Sequence, residues 1–262
     1  MTIPDILALD FDGVCCDGLR EYFEASRRAC GRVWPRDPPP GADAFEAFCA
    51  LRPVILSGWE MPVLLRAIVG GRPRAEMLDD WERVRGEIVG AGSPAGDALV
   101  ARLGRALDDA RREWIAADTP GWLALHAPYT TVEELRRLVA EPAHCALVTT
   151  KEGAFARLIL EHWDLRLADV QGKETGAHKC DNIRALIAAG TVERGRRPRL
   201  AFVEDRLETL QHVATHPDLD DVALFLAAWG YNTEAARATA RTDSRIRLLT
   251  LDQFRRGAAV WM

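Results

Sequence analysis

Two aspartates spaced two positions apart, Asp10 and Asp12, follow the apolar run Ile6-Leu7-Ala8-Leu9 and precede Gly13 and Val14. A short apolar run bounded by a turn signal reads as a strand buried on both faces. Residues i and i+2 of an extended segment point the same way, so the two carboxylates face one space at the strand's C-terminal end. That end is where open parallel sheets bind ligands. Two carboxylates crowded together repel unless a cation or a shared proton relieves them. The pair therefore asks for a bound metal, or for a division of labour between a nucleophile and an acid.

Basic residues add a second signal. Of the 34, only Lys151, Lys173 and Lys179 are lysines, and all three lie within residues 151–179. In a chain that uses arginine almost everywhere, a lysine marks a place for a compact point charge rather than a broad planar fork. Lys179 is the preferred candidate over Lys173, and Lys151 reads either as a loop anchor or as a substrate contact.

The elements that must position these groups follow from the patterning. A helix is expected over 18–29, then a Pro-rich stretch at 35–41 that no helix can cross. Helical segments follow at 42–69 (interrupted near Pro53 and Ser57–Pro62), 75–89 and 95–117. From about 130 strands and helices alternate. Thr130 or Thr131 caps a helix, 145–149 reads as a buried strand, and Gly153 opens a helix. A short strand is expected near 168–170, a helix over 181–189, and strands at 200–204, 222–226 and 246–249. Such alternation implies an α/β fold with a doubly wound parallel sheet. The expected division is a core of 1–17 and 129–262, with a mostly helical insertion over 18–128.

Bulk composition narrows the function classes. A net charge of −5 disfavours a nucleic-acid binder held by phosphate contacts. No run approaches a membrane span. The N-terminus lacks a positively charged region and reaches Asp10 at once, so no signal peptide and a cytoplasmic location are expected. Six cysteines, none in a C-x-x-C pair, read as small buried hydrophobes; Cys15 and Cys16 lie just after the acidic pair, where a redox role would be placed. The six histidines show no metal-ligand spacing and read as structural, with His178, beside Lys179, the exception.

The run ending Asp10-Phe11-Asp12-Gly13-Val14 resembles the first motif of the haloacid dehalogenase (HAD) superfamily. Three further stretches are similar to its later motifs, in order. They are Leu147-Val148-Thr149-Thr150, Lys179 at a helix start after Gly172, and Phe202-Val203-Glu204-Asp205. The resemblance covers the whole core. It departs from the family where Glu204 replaces the usual glycine, and where Glu208 or Thr209 leaves the usual downstream acid ambiguous.

The resemblance implies an HAD-like Rossmannoid core with an inserted C1-type helical cap, and a phosphatase. Asp10 would attack phosphorus to give an aspartyl phosphate, and Asp12 would serve as acid and then base. Thr149 would donate to the phosphoryl oxygens and Lys179 would neutralise them. Mg²⁺ would be held by Asp10, Asp12 through its main-chain carbonyl, and Asp205, with Glu204 a ligand or a base behind it. Gly13, Thr150 and Lys151 would lie beside the substrate. In the cap, Arg52, Trp59 and Glu60 are the polar candidates for contacting it, with Arg20 and Glu21. The implied substrate is a small phosphorylated metabolite such as a sugar phosphate or phosphoglycolate, with no nucleic-acid or membrane partner and a monomer or homodimer as the assembly. A phosphomutase of the same fold, or an HAD-shaped binding or regulatory protein with little turnover, are the alternatives.

Overall fold

The computed structural model describes residues 3–176 and 178–262. Its contacts separate two units, Gly18–His126 and the remainder of the chain on either side.

The unit Gly18–His126 is helical: α1 (Leu19–Val33), α2 (Ala44–Leu51), α3 (Glu60–Val69), α4 (Arg74–Asp79), α5 (Trp81–Val89) and α6 (Pro94–Leu123). In α1, Tyr22, Phe23, Ser26, Ala29, Cys30 and Val33 recur at the three-to-four spacing of a buried stripe. The segment expected as one helix over 75–89 breaks at Asp80, whose carboxylate caps the next helix by accepting from the Arg83 N–H. The one expected over 95–117 continues to Leu123, but only by restarting. Asp118 leaves helical geometry (φ −154°, ψ 72°) and caps the final turn through Gly121, with Pro120 inside that turn.

Two buried carboxylates hold this unit. Glu21 is fully buried and receives Arg111 at 2.8 and 3.0 Å, with the Trp122 indole N–H at 3.3 Å. Glu60 accepts from the Trp81 indole at 2.8 Å, from Arg85 at 2.5 Å and from the Leu56 N–H at 3.3 Å.

The second unit begins with β1 (Ile6–Leu9) and β2 (Cys16–Asp17). After the helical segment it resumes with β3 (Ala127–Pro128), α7 (Val132–Ala140), β4 (His144–Val148), α8 (Gly153–His162), β5 (Asp169–Gln171) and α9 (Lys179–Arg194). It closes with β6 (Leu200–Glu204), α10 (Leu207–Ala214), β7 (Ala223–Ala227), α11 (Glu234–Thr242), β8 (Ile246–Leu249), α12 (Leu251–Arg255) and α13 (Ala258–Trp261). Thr131 caps α7 in a capping box with Glu134. The sheet is a six-stranded parallel one in the order β5-β4-β1-β6-β7-β8. The sequence pattern did not anticipate the antiparallel pair β2–β3, because two-residue strands carry no periodicity. Among the described residues, no helix is long and apolar enough to cross a membrane.

Strand β1 lies at the centre, between β4 and β6. The chain builds outward from β1 through β4 to β5, then returns across the sheet to β6, so the winding reverses beside β1. Ile6 and Ala8 face α9 together with Phe202, Ala146 and Val148, against Cys180, Ile183 and Leu186. Leu7 and Leu9 alternate to the other face. The side chain that follows Ala8 on the α9 face is Asp10.

Candidate functional site

The register explains which acids meet. Leu9 is level with Val203 of β6 and with Leu147 of β4, and the Asp10 N–H donates to the Val203 carbonyl at 2.9 Å. One step further along, Asp10 and Glu204 lie side by side on the α9 face, as Ala8 and Phe202 do before them. Asp205 follows at the strand end. Among the described residues, Asp10, Glu204 and Asp205 place their carboxylate oxygens within 4.8 Å of one another, and all three are buried.

Lys179, the first residue of α9, bridges the first two. Its Nζ lies 3.0 Å from Asp10 Oδ1 and 2.5 Å from Glu204 Oε2, while Glu204 Oε1 accepts from the Arg206 N–H. Lys173 is exposed on a 3-10 turn. Of the two lysines weighed for this place, the structure puts Lys179 there.

The second acid of the opening motif has its own cation. Lys151 Nζ lies 3.1 and 3.2 Å from the two oxygens of Asp12, and the Lys151 N–H donates to the Thr149 hydroxyl oxygen at 3.1 Å. Lys151, left open between a loop anchor and a substrate contact, is thus the partner of Asp12. The signal pointing to it was the scarcity of lysine. Thr149 is buried, and its hydroxyl can still donate because it accepts only through oxygen. Thr150 is exposed.

Gly13 and Gly230 make room for Asp205. A Cβ on Gly13 would stand 2.1 Å from Asp205 Oδ2, and one on Gly230 would stand 2.3 Å from Asp205 Cβ. Gly13 also has φ +88°, a left-handed conformation that favours glycine. The Tyr231 N–H donates to Asp205 Oδ2 at 2.7 Å, and the Asn232 amide donates to the Asp205 carbonyl. Glu208, one of the two downstream candidates, is exposed and pairs with Arg206 at 3.4 Å. The asparagine and the tyrosine backbone brace Asp205 instead, and no local motif around Asp205 points to either.

The electrostatics are those of a site short of positive charge. Burial pushes the Asp10 carboxyl up to about 7; the charge of Glu204 adds to the effect and Lys179 opposes it. Burial likewise pushes Glu204 up to about 7, again opposed by Lys179 and reinforced by Asp205. Burial alone would lower Lys179, but Asp10 and Glu204 outweigh it and hold the ammonium well above its ordinary range. Asp10 Oδ1 is buried without an aligned hydrogen bond, although Lys179 is within ion-pair reach. Four carboxylates against two lysines, with one buried oxygen lacking an aligned donor, fit a divalent cation bound through oxygen.

Of the candidates in the helical unit, Glu60, Arg52, Trp59 and Glu21 have partners within that unit. Glu60, expected to meet substrate, is 1% exposed, and its carboxylate is taken by Trp81, Arg85 and Leu56 inside the helical unit. Arg52 is buried, donates to the Ile55 carbonyl and lies over the Tyr22 ring. Trp59 packs beneath Arg85, and Glu21 is the buried partner of Arg111. All six cysteines are free thiols. Cys15 and Cys16 are buried, and burial pushes both thiols well up, as expected of packing groups rather than of redox ones.

No protein-family model and no curated protein matches the chain. Solved structures do. A haloacid dehalogenase-like hydrolase from Streptococcus pneumoniae aligns with a TM-score of 0.53 at 14% identity, covering 94% of this chain and 95% of that one. A structure titled a predicted phosphatase from Clostridium acetobutylicum aligns at 0.56 and 12% identity over 97% and 98%. The protein tyrosine kinase PtkA from Mycobacterium tuberculosis aligns at 0.57 and 18% identity over the full length of both. The chain has the fold of the haloacid dehalogenase-like hydrolases, along both of its units.

Proposed function

We propose that this protein is a Mg²⁺-dependent phosphohydrolase acting on a small phosphate monoester through an aspartyl-phosphate intermediate. The observation that carries the reading is the meeting of Asp10, Asp12, Glu204 and Asp205 with Lys151 and Lys179 at the ends of adjacent parallel strands. Several solved structures of the same fold are titled phosphatases or phosphoglycolate phosphatases, which supports the same class. The division of the chain into an α/β unit that carries the chemistry and a helical unit over 18–126 belongs to this reading.

A phosphate monoester is anionic and resists attack by water, so a covalent intermediate splits one difficult step into two. Asp10, the acid that follows the central strand, is the nucleophile: its carboxylate forms a bond to phosphorus as the leaving oxygen departs. Asp12, held by Lys151, protonates that oxygen and then takes a proton from the water that cleaves the acyl phosphate. Lys179, anchored by Glu204, meets the charge of the transferring phosphoryl oxygens, and Thr149 donates to them. Asp10, Asp205 and the Asp12 carbonyl would hold Mg²⁺, which when bound offsets the charge of nucleophile and phosphoryl group. Glu204, whose oxygens are taken by Lys179 and the Arg206 N–H, acts by fixing the lysine.

The presence of a protein kinase on this fold makes transfer to an acceptor other than water the second reading, of which a phosphomutase is one case. The test is phosphate release from a generic aryl phosphate with and without Mg²⁺, followed by a panel of sugar phosphates and phosphoglycolate. Hydrolysis that requires Mg²⁺ and disappears in Asp10→Asn supports the proposal. Retained activity in Asp10→Asn rejects the nucleophile. Phosphate found on an acceptor favours the second reading, and absence of turnover across the panel favours a binding protein.

A further inference from the structure

Beyond the acidic group, the described residues contain one other set of three side chains placed to hold a cation: His178, Cys180 and His212. Residues 178 and 180 flank the start of α9, while His212 comes from α10, more than thirty positions later, so spacing along the chain conceals the set. The donor atoms lie within 4.8 Å of one another. The His178 and His212 rings meet edge to face with centroids 4.6 Å apart, and His216 continues the row 5.0 Å beyond His212.

We propose that His178, Cys180 and His212, with His216 as a fourth donor, form a binding site for a borderline-soft divalent cation of the Zn²⁺ type. The donors are imidazole and thiol, which suit zinc and its neighbours and not Mg²⁺. Ligand atoms around a tetrahedral zinc stand about 3.5 Å apart, given Zn–N near 2.1 Å and Zn–S near 2.3 Å. Small rotations of the two exposed histidines close the present spacing. Cys180 is 2% exposed and anchors the set from the core side. Binding releases the thiol proton to solvent as the Cys180 sulfur becomes a thiolate ligand.

The position gives the site a consequence. Lys179 stands between two of the ligands, and its Nζ reaches Asp10 and Glu204. Within α9 the helix start is held by backbone bonds from the Asp181 and Asn182 N–H groups to the His178 carbonyl, and by a long 3.4 Å bond from the Cys180 N–H to His178 Nδ1. A cation bridging α9 to α10 adds coordination from a second helix, and so further fixes the helix end that carries the lysine.

The test is zinc titration of the full chain with Mg²⁺ in excess, and Co²⁺ substitution read by its thiolate charge-transfer absorption. One equivalent of zinc is expected, with a sulfur-to-cobalt band. Zinc affinity should fall at least about 10-fold in His212→Asn, whose parent side chain is exposed and whose loss leaves the core intact. The band should vanish in Cys180→Ser, and Asp205→Asn should leave both signals unchanged. Zinc binding that Mg²⁺ competes away, that Asp205→Asn abolishes, or that His212→Asn leaves untouched would overturn the proposal. None of these readouts depends on turnover, so failure here is separate from failure of the phosphohydrolase reading.

Discussion

Lys151 Nζ sits 3.1 and 3.2 Å from the two oxygens of Asp12, a pairing between residues on the loops that follow two neighbouring strands. The lysine side chain is 3% exposed, so the ammonium has no room to be exchanged for a larger cation. Removing it leaves the Asp12 carboxylate without its orienting partner. In Lys151→Met we expect kcat/KM for an aryl phosphate to fall about 100-fold, at the low end of what positioned acid–base groups contribute. Lys151→Arg should not restore it, because a planar guanidinium does not fit a space shaped for a point charge. Full activity in Lys151→Arg would show that charge alone matters there.

Gly13 offers a second test. Alanine at that position would sit at φ +88° and drive its methyl into Asp205 Oδ2. The backbone alone costs about 1–2 kcal/mol, and Asp205 must move. Gly13→Ala should therefore need more Mg²⁺ for half-maximal activity and lose at least about 10-fold in rate, since misplacing a positioned group can cost 100-fold. An unchanged Mg²⁺ requirement would remove Asp205 from the metal's ligands.

The helical unit supplies a stability prediction. Glu21 is fully buried against Arg111 and Trp122. Truncating one member of a buried ion pair leaves the other charged and unpaired, at about 3–5 kcal/mol. Glu21→Ala should lose that much in urea denaturation, whereas Glu21→Leu combined with Arg111→Met should recover most of it. Equal losses in the single and double variants would mean the pair is not the source.

Asp5 gives the pH dependence. Hydrogen bonds from Arg196 and from the Arg199 N–H hold its carboxyl well below the usual range, against the opposing effect of burial. A depressed folded value means the stabilisation is present above the unfolded carboxylate value of about 3.9 and is lost as pH falls below it through the lower folded one. At pH 6 the wild type should exceed Asp5→Asn by about 2 kcal/mol, the scale of a hydrogen bond to a charged group. The gap in urea midpoint should narrow steadily from pH 4 downward. A gap independent of pH would assign the effect to shape rather than charge.

Much of the α/β fold was legible because its strands are continuous apolar runs with helices between them. Asp10, Thr149 and Asp205 were legible for a related reason: each sits where such a run ends, and parallel strands end together. Glu204 was visible as a departure, but not as the anchor of Lys179, since its side chain's direction depends on the register of β6 against β1. The pairing of Lys151 with Asp12 spans 139 positions, which no local pattern encodes. The burial of Glu60 and Glu21 was not legible for a simple reason. A buried carboxylate on a helix looks in sequence like a solvated one, and only its partners on other helices show the difference.

Because β1 is flanked on both edges by strands that follow more than 130 residues later, residues 144–147 and 200–203, it has no strand neighbour when it leaves the ribosome. A naked four-residue apolar ribbon with two open backbone edges must wait until those segments are made before it can be paired. Loop closures this long are slow, and an unpaired strand is an aggregation hazard meanwhile. Production of this protein in quantity should accordingly depend on chaperones that shield nascent chains, and a fragment ending before residue 200 should be insoluble.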